Sequence, residues 1–392
     1  MPHTTGVDDF VDRAAAEIGA RAERELEALV GVSSPSGDVE GAEETLAVCA
    51  ALLPAEAEIE RVPCSTPGSA PDLIARVGGT GARRIVLLGH VDTVVGHEAH
   101  GPLRHDGERL YGPGTCDMKG GVVLALGVAR TLAQRPELFA ELSVLLVADE
   151  EWRTQPFAHV ERFAGYDACL CFEAGERGPN GEEGVVVRRK AAGTLRTLAR
   201  GRPAHSGSAP DAGANALVAL ARTAIRLTEL HDPAGADRLS VVPTVVRSGD
   251  AFNVVPAAGE LIFDLRADRI EAFDEVIAAV PAELGGVEVE ARMERLWPGM
   301  DGRQATAWLL ERASARLGRR IAGVARGGAS DASHFAPAIG LTIDGLGPRG
   351  GGAHTPEEFV LAPSLRERAE VAVAVALEAL TALPDDLPSL ER

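Results

Sequence analysis

The sequence predicts an α/β protein: a mixed, mainly parallel sheet with helices on both faces, interrupted by an inserted α+β unit of ferredoxin-like topology. Three observations predict it. Short, continuous apolar runs, of the kind that form buried strands, alternate with segments of helical period through the first half of the chain. The middle of the chain reads strand, helix, strand, strand, helix, strand, a unit that closes its own small core. The length, 392 residues, suits about two domains.

The elements follow in order. Over residues 8–30 apolar side chains recur at helical spacing: Val11, Ala15, Ile18, Ala22, Leu26 and Leu29. Ser33-Ser34-Pro35-Ser36-Gly37 stops this helix, because Pro and Gly punctuate turns. A second helix covers 39–53. Residues 72–77, 84–88, 142–148 and 168–172 are short buried strands, with a helix at 121–133 between them. The insert begins with a strand at 194–200. A helix at 214–230 carries Leu217, Leu220, Ala221, Ala224 and Ile225 on one face. Strands at 239–246 and 260–266, a helix at 269–284 and a strand at 287–293 complete it. The expected division is therefore a discontinuous domain, 1–189 and 301–392, and an inserted domain, 190–300.

Charge and composition narrow the function. Lys plus Arg total 39 and Asp plus Glu 58, a net charge of −19. Such a chain repels polyphosphate, so no nucleic-acid partner is expected. The apolar fraction of 45% is too high for disorder. No run approaches the roughly 18 apolar residues that span a bilayer. The opening MPHTTGVDDF has neither the basic nor the apolar region of a secretory signal, so a cytoplasmic protein without a membrane partner is expected. Five cysteines, an odd number with no CxxC spacing, read as buried free thiols.

Five segments carry chemistry. Ile85-Val86-Leu87-Leu88-Gly89-His90-Val91-Asp92 is an apolar strand ending in His-x-Asp, where open α/β sheets bind ligands. His90 suits a metal, and Asp92 suits its orienting partner. Gly112-Pro113-Gly114-Thr115-Cys116-Asp117-Met118-Lys119-Gly120-Gly121 crowds glycines around one carboxylate before a helix, without phosphate-loop spacing. Asp149-Glu150-Glu151 follows a buried strand, and adjacent carboxylates repel unless a cation or proton compensates. The strand ending Cys171-Phe172-Glu173 again delivers a carboxylate. Gly350-Gly351-Gly352-Ala353-His354-Thr355-Pro356-Glu357-Glu358 delivers one His from a glycine-rich loop. Together His90, Asp117, Glu151, Glu173 and His354 offer two imidazoles and three carboxylates, a donor set for two zinc ions sharing one carboxylate. Such a pair, about 3.5–4 Å apart, polarises a carbonyl and activates water. Glu150 is left over as the group that takes the proton from that water and passes it to a leaving amine.

With these residues in hand, the sequence resembles the metallopeptidase family of glutamate carboxypeptidase, acetylornithine deacetylase, succinyl-diaminopimelate desuccinylase and aminoacylase. The resemblance covers nearly the whole chain, with five separated motifs in the family order. It implies two Zn²⁺ per chain, with Co²⁺ or Mn²⁺ as substitutes, held by His90, Asp117, Glu151, Glu173 and His354. It implies Glu150 as the base and Asp92 as the support of His90. Glu173, where deacetylases place Asp, looks like the carboxypeptidase branch. The resemblance also implies that the insert is a lid through which the chain forms a homodimer. In Gly201-Arg202-Pro203-Ala204-His205-Ser206-Gly207, His205 then serves the partner's site. Asn253, Arg266 and Gly328 match positions that contact substrate or border the site. Ala329 stands where a third glycine is usual, and Trp152-Arg153-Thr154-Gln155-Pro156 replaces a small glycine-containing turn.

The expected activity is thus hydrolysis of an amide bond in a small peptide or N-acyl amino acid with a free carboxylate, on the pattern of glutamate carboxypeptidase. The alternative within the family is a deacetylase, a desuccinylase or a pathway-specific amide-releasing enzyme. A serine hydrolase is disfavoured, because Gly328-Ala329-Ser330-Asp331-Ala332 lacks the last glycine of the GxSxG elbow. A non-enzymatic metal-binding protein leaves Glu150 without a task. Arg188-Arg189-Lys190 reads as a solvated strand edge, the alternative being that it helps attract an anionic substrate into an otherwise acidic protein. His3, His97, His100, His105, His159, His231 and His334 read as structural or exposed.

Overall fold

A computed structural model describes residues 8–381; His3 lies outside them. The chain divides into two compact units. Residues through Arg188, Asp301–Arg326 and those from Ser330 onward form one; Arg189–Met300 with Gly327–Ala329 form the other.

The first unit is built on a six-stranded mixed sheet. In spatial order its strands are Glu58–Val62, Asp72–Gly78, Glu141–Val147, Arg84–His90, Ala168–Cys171 and Leu341–Ile343. The last four run parallel to one another, and the first two join antiparallel at one edge. From Ile85 to His90 every side chain is buried, as parallel strands covered on both faces require. Ile85, Leu87, Leu142, Val144, Ala168 and Leu170 belong to the main core with the helices Asp9–Val30, Lys119–Ala133 and Ala362–Thr381. The opposite face, with Val86, Leu88, Leu145 and Cys169, is equally closed. The helix Lys119–Ala133 buries every residue but Arg130, so its apolar stretch is a core helix. Asp8 caps the first long helix by accepting from the Phe10 N–H, and Asp38 caps Val39–Leu52 through the Gly41 N–H.

The second unit is a five-stranded antiparallel sheet in the order Ser240–Ser248, Ala258–Ala267, Ala191–Arg200, Val287–Trp297, Glu283–Leu284, with helices Ala216–Thr228 and Ala272–Ala278. Strand, helix, strand, strand, helix, strand is the ferredoxin-like sequence of elements. Its core joins Leu195, Phe263, Leu265, Phe273 and Val276. The helix expected over 269–284 is shorter, Ala272–Ala278. Pro281 cannot continue it, and Gly285 and Gly286, both at positive φ, turn the chain into the last long strand.

Two smaller expectations change. All five cysteines are free, but Cys64 is only half-buried. Arg188-Arg189-Lys190 is no solvated edge: Arg189 is buried and donates to the Gly328 carbonyl at 2.8 Å, and Lys190 donates to the Arg238 carbonyl at 2.7 Å. Among the described residues, no helix is long and apolar enough to cross a membrane.

Candidate metal centre

Three neighbouring parallel strands deliver the first residues to one edge of the sheet. His90 ends the central strand of the three and is 1% exposed. Glu150 and Glu151 follow the strand on one side, Glu141–Val147, and Glu173 follows the strand on the other, Ala168–Cys171. Residues distant in sequence meet there because parallel strands share a carboxyl end. Asp117 arrives in the turn before Lys119–Ala133. His354 arrives from the glycine-rich loop, held near Asp117 by pairing of Phe359–Leu361 with Arg109–Tyr111.

The Asp117 carboxylate lies between two imidazoles. Its Oδ1 is 3.2 Å from His90 Nε2, and its Oδ2 is 3.2 Å from His354 Nε2. Glu173 Oε1 stands on the His90 side at 3.7 Å, and Glu151 Oε1 on the His354 side at 3.2 Å. Donor atoms of His90, Asp117 and Glu151 lie within 4.8 Å of one another. Each imidazole thus shares Asp117 and has one further carboxylate of its own.

Asp92 ties this arrangement together. The His90 Nδ1 is 3.0 Å from the Asp92 carbonyl and 3.4 Å from its carboxylate, leaving Nε2 for the centre. The Asp92 carboxylate accepts from the backbone N–H groups of Glu150 and Glu151, at 3.1 and 3.2 Å, and from the Ser36 hydroxyl at 2.7 Å. One buried side chain therefore orients both His90 and the Glu150-Glu151 turn.

The electrostatics favour added positive charge. Burial pushes Glu150 up to about 7, and burial with the Asp117 charge raises Glu173 well above the usual carboxylate range. Burial alone would lower the His90 pKa, but hydrogen bonds with Asp117 and Asp92 hold it well above 6.5. Hydrogen bonds with Asp117 and Glu151 raise His354 to about 10. Burial opposes ionisation of Asp117, yet the two imidazoles hold it well below the usual range. The carboxylates thus hold both imidazoles toward their protonated forms. Carboxylates and imidazoles together are a donor set for a divalent transition metal, and their chemistry fits zinc.

Three residues at the centre were not singled out from sequence. Ser36 lies in a segment that reads only as a turn. Arg153 is wholly buried; it pairs with Asp149 at 3.0 Å and with Asp331, and lies 4.5 Å from the Phe157 ring centre. A buried cation thus anchors this turn, while the neighbouring Trp152 is 69% exposed. Glu358 accepts from the N–H groups of Gly114, Cys116 and Asp117 at 2.8–2.9 Å. Its only sequence signal is a second acid after the His354 loop. Ser330 is buried and donates to Asp344 at 2.6 Å, a structural bond and not a nucleophile's setting.

The remaining candidates lie in the second unit. His205 is exposed, and its Nδ1 accepts from the N–H groups of Gly207 and Ser208 at 3.1 and 3.2 Å. Asn253 is beside it, its carbonyl accepting from the Ser206 N–H at 3.0 Å. Arg266 pairs in two-pronged fashion with Asp264, at 2.9–3.2 Å. Gly328 accepts from Arg189, as above. His159 is buried on Asp72 at 2.7 Å, a structural histidine.

The model of peptidase family M20/M25/M40 matches residues 86–378, three-quarters of the chain. The chain belongs to this family. It is accordingly a metal-dependent peptidase or amidohydrolase. Family relatives include carboxypeptidase G2 of Pseudomonas sp. (strain RS-16), 26% identical over 95% of this chain and 92% of that enzyme. Succinyl-diaminopimelate desuccinylase of Methylorubrum extorquens (strain PA1) is 30% identical, over 60% of this chain and 63% of its own. Among solved structures, a dinuclear metal-binding M20 peptidase of Bacillus subtilis superposes with a TM-score of 0.69 at 16% identity, covering 94% of this chain and 99% of that one. At that identity the likeness shows the fold.

Proposed function

We propose that this M20 chain hydrolyses an amide bond in a small peptide or N-acyl amino acid bearing a free carboxylate, with two zinc ions in the centre. The observation that carries this reading is the Asp117 carboxylate, with one oxygen toward His90, which Glu173 flanks, and the other toward His354, which Glu151 flanks. That pattern fits two cations sharing one bridging group, His90, Asp117 and Glu173 holding one and His354, Asp117 and Glu151 the other. A bound pair would supply Lewis-acid polarisation of the scissile carbonyl and would acidify water. The rest falls to the chain's own groups. Glu150 takes the proton of the attacking water on its carboxylate and returns it to the departing nitrogen; a base with a pKa near the working pH suits both transfers. Asp92 keeps His90 and the Glu150-Glu151 turn in register. His205 stabilises the oxyanion as a donor, with Asn253 and Gly328 beside the substrate.

Arg266 anchors the substrate carboxylate in this reading, exchanging Asp264 for it; a guanidinium grips either carboxylate in two-pronged fashion. The full-length similarity to a carboxypeptidase favours this substrate class. Similarity to a desuccinylase over a shorter stretch keeps a deacylase as the second reading.

Homodimerisation through residues 190–300 completes the proposal. The end strand Ser240–Ser248 exposes Val242 and Val246, and the helix Ala216–Thr228 exposes Leu217, Val218 and Ile225. An unpaired strand edge beside apolar side chains suits a second copy.

The test uses chelator-stripped protein resupplied with Zn²⁺, Co²⁺ or Mn²⁺. N-acyl amino acids and dipeptides should be cleaved, and their C-terminal amides should be poor substrates. Equal turnover of acid and amide contradicts the carboxylate anchor and favours an aminopeptidase-like activity.

A further inference from the structure

Glu358 lies outside the donor set, yet it is buried, and its carboxylate accepts from one short stretch of backbone. Its Oε2 accepts from the Gly114 N–H at 2.9 Å, and its Oε1 accepts from the N–H groups of Cys116 and Asp117, both at 2.8 Å. Its own carbonyl accepts from the Gly112 N–H at 3.0 Å. Glu358 follows His354 by four residues, and a tight turn joins them, with the Glu358 N–H donating to the Thr355 carbonyl at 3.2 Å. One side chain therefore fastens the loop of His354 to the backbone of Asp117.

The two halves of the centre need that fastening unequally. His90 ends a central strand and Glu173 follows its neighbour; their side chains are 2% and 9% exposed. Sheet packing fixes them whatever the glycine loop does. The His354 side chain is 53% exposed, and its backbone sits at φ +67°, a conformation that side-chain-bearing residues rarely adopt. Its loop follows three glycines. The short strand pairing, the turn of Thr355 onto the Gly352 carbonyl and the Glu358 cradle hold that imidazole at Asp117 Oδ2.

We propose that Glu358 is a positioning residue that sets the affinity of the second, His354–Glu151 metal position while leaving the His90–Glu173 position largely intact. This rests on the two-ion reading above. Three N–H groups converging on one carboxylate form an anion cradle, and its fixed geometry ties the His354 loop to the backbone of the Asp117 turn. The amide of a Gln directs N–H toward at least one of the three donors. The fastening is thereby loosened without any change in side-chain size.

The experiment titrates the metal-free full-length protein with Zn²⁺ against a chromophoric chelator. Wild type should take up two equivalents. Glu358→Gln should keep the first equivalent at near wild-type affinity and bind the second about 10–100-fold more weakly, the usual cost of losing a partner behind a ligand. Glu357→Gln, at an exposed neighbouring position, should match wild type. The thermal midpoint of the metal-free variant serves as the readout for a merely structural role, which would lower it and weaken both equivalents alike. Two undiminished equivalents in Glu358→Gln, or an equal loss of both, overturns the proposal. A wild type that binds one equivalent overturns the two-ion reading, and the asymmetry with it. Should Glu358→Gln not fold, amide exchange in the wild type decides. The first equivalent of Zn²⁺ should leave exchange over residues 352–357 unchanged and the second should slow it. Protection complete at the first equivalent overturns the proposal.

Discussion

Asp117 offers one carboxylate oxygen to each of two imidazoles, and its charge state dominates the centre. In the metal-free chain His354, at about 10, and His90, well above 6.5, carry protons at neutral pH. A metal needs the neutral ring, so its uptake must expel protons, and affinity must rise with pH while the imidazoles titrate. Calorimetry at pH 7 in buffers of different ionisation heat should give an apparent enthalpy that varies with buffer; a buffer-independent enthalpy contradicts this. Glu150 and Glu151 are adjacent but differ in setting. Glu151 contacts His354, whereas Glu150 is the buried acid left over. Glu150→Gln should retain metal and lose roughly 10²–10⁴-fold in kcat, whereas Glu151→Gln should lose metal. Equal metal loss in the two variants, read by elemental analysis, would mean the roles are divided wrongly.

At the scale of elements, the strand ends made most of the centre legible in sequence. An apolar run followed by His90, Glu150-Glu151 or Glu173 places each side chain where parallel strands bind ligands, and the sheet order then brings the runs together. Glu358, Ser36 and Arg153 were not legible in the same way. Apart from the Asp149 partner of Arg153, four residues away, their partners are backbone amides and carboxylates far along the chain, and a single sequence carries no trace of such pairing. The same holds for the buried charges behind the glycine loop. Glu183 accepts from Arg349 at 2.6 Å and from Arg368 at 2.9 Å, and Arg349 leads directly into Gly350. Burial opposes ionisation of Glu183, but the two guanidinium groups hold it below 4.5. A depressed carboxylate stabilises the fold above its unfolded value, and that contribution is lost as pH falls through the folded value. The metal-free thermal midpoint should therefore fall on acidification below about pH 4.5. Glu183→Gln should flatten that limb and cost about 3 kcal/mol at neutral pH, because the buried Arg368 guanidinium loses its counter-charge while Arg349 keeps Glu367. An unchanged acid limb in chemical and thermal unfolding of the variant would contradict the assignment.

At the scale of the whole molecule, the groups proposed for chemistry are divided between the two units. The metal set and Glu150 lie in one, and His205, Asn253, Arg266 and Gly328 lie in the other. If His205 serves the partner's site, Glu150→Gln and His205→Ala subunits, each inactive alone, should recover part of the activity when exchanged into mixed dimers. Demonstrated exchange without recovered activity contradicts service across the dimer. The central claim, two ions sharing Asp117, is tested most directly by counting metal. Protein purified without chelator, or reconstituted until activity no longer rises, should hold close to two equivalents per chain by elemental analysis. Full activity at one equivalent or fewer would contradict the account.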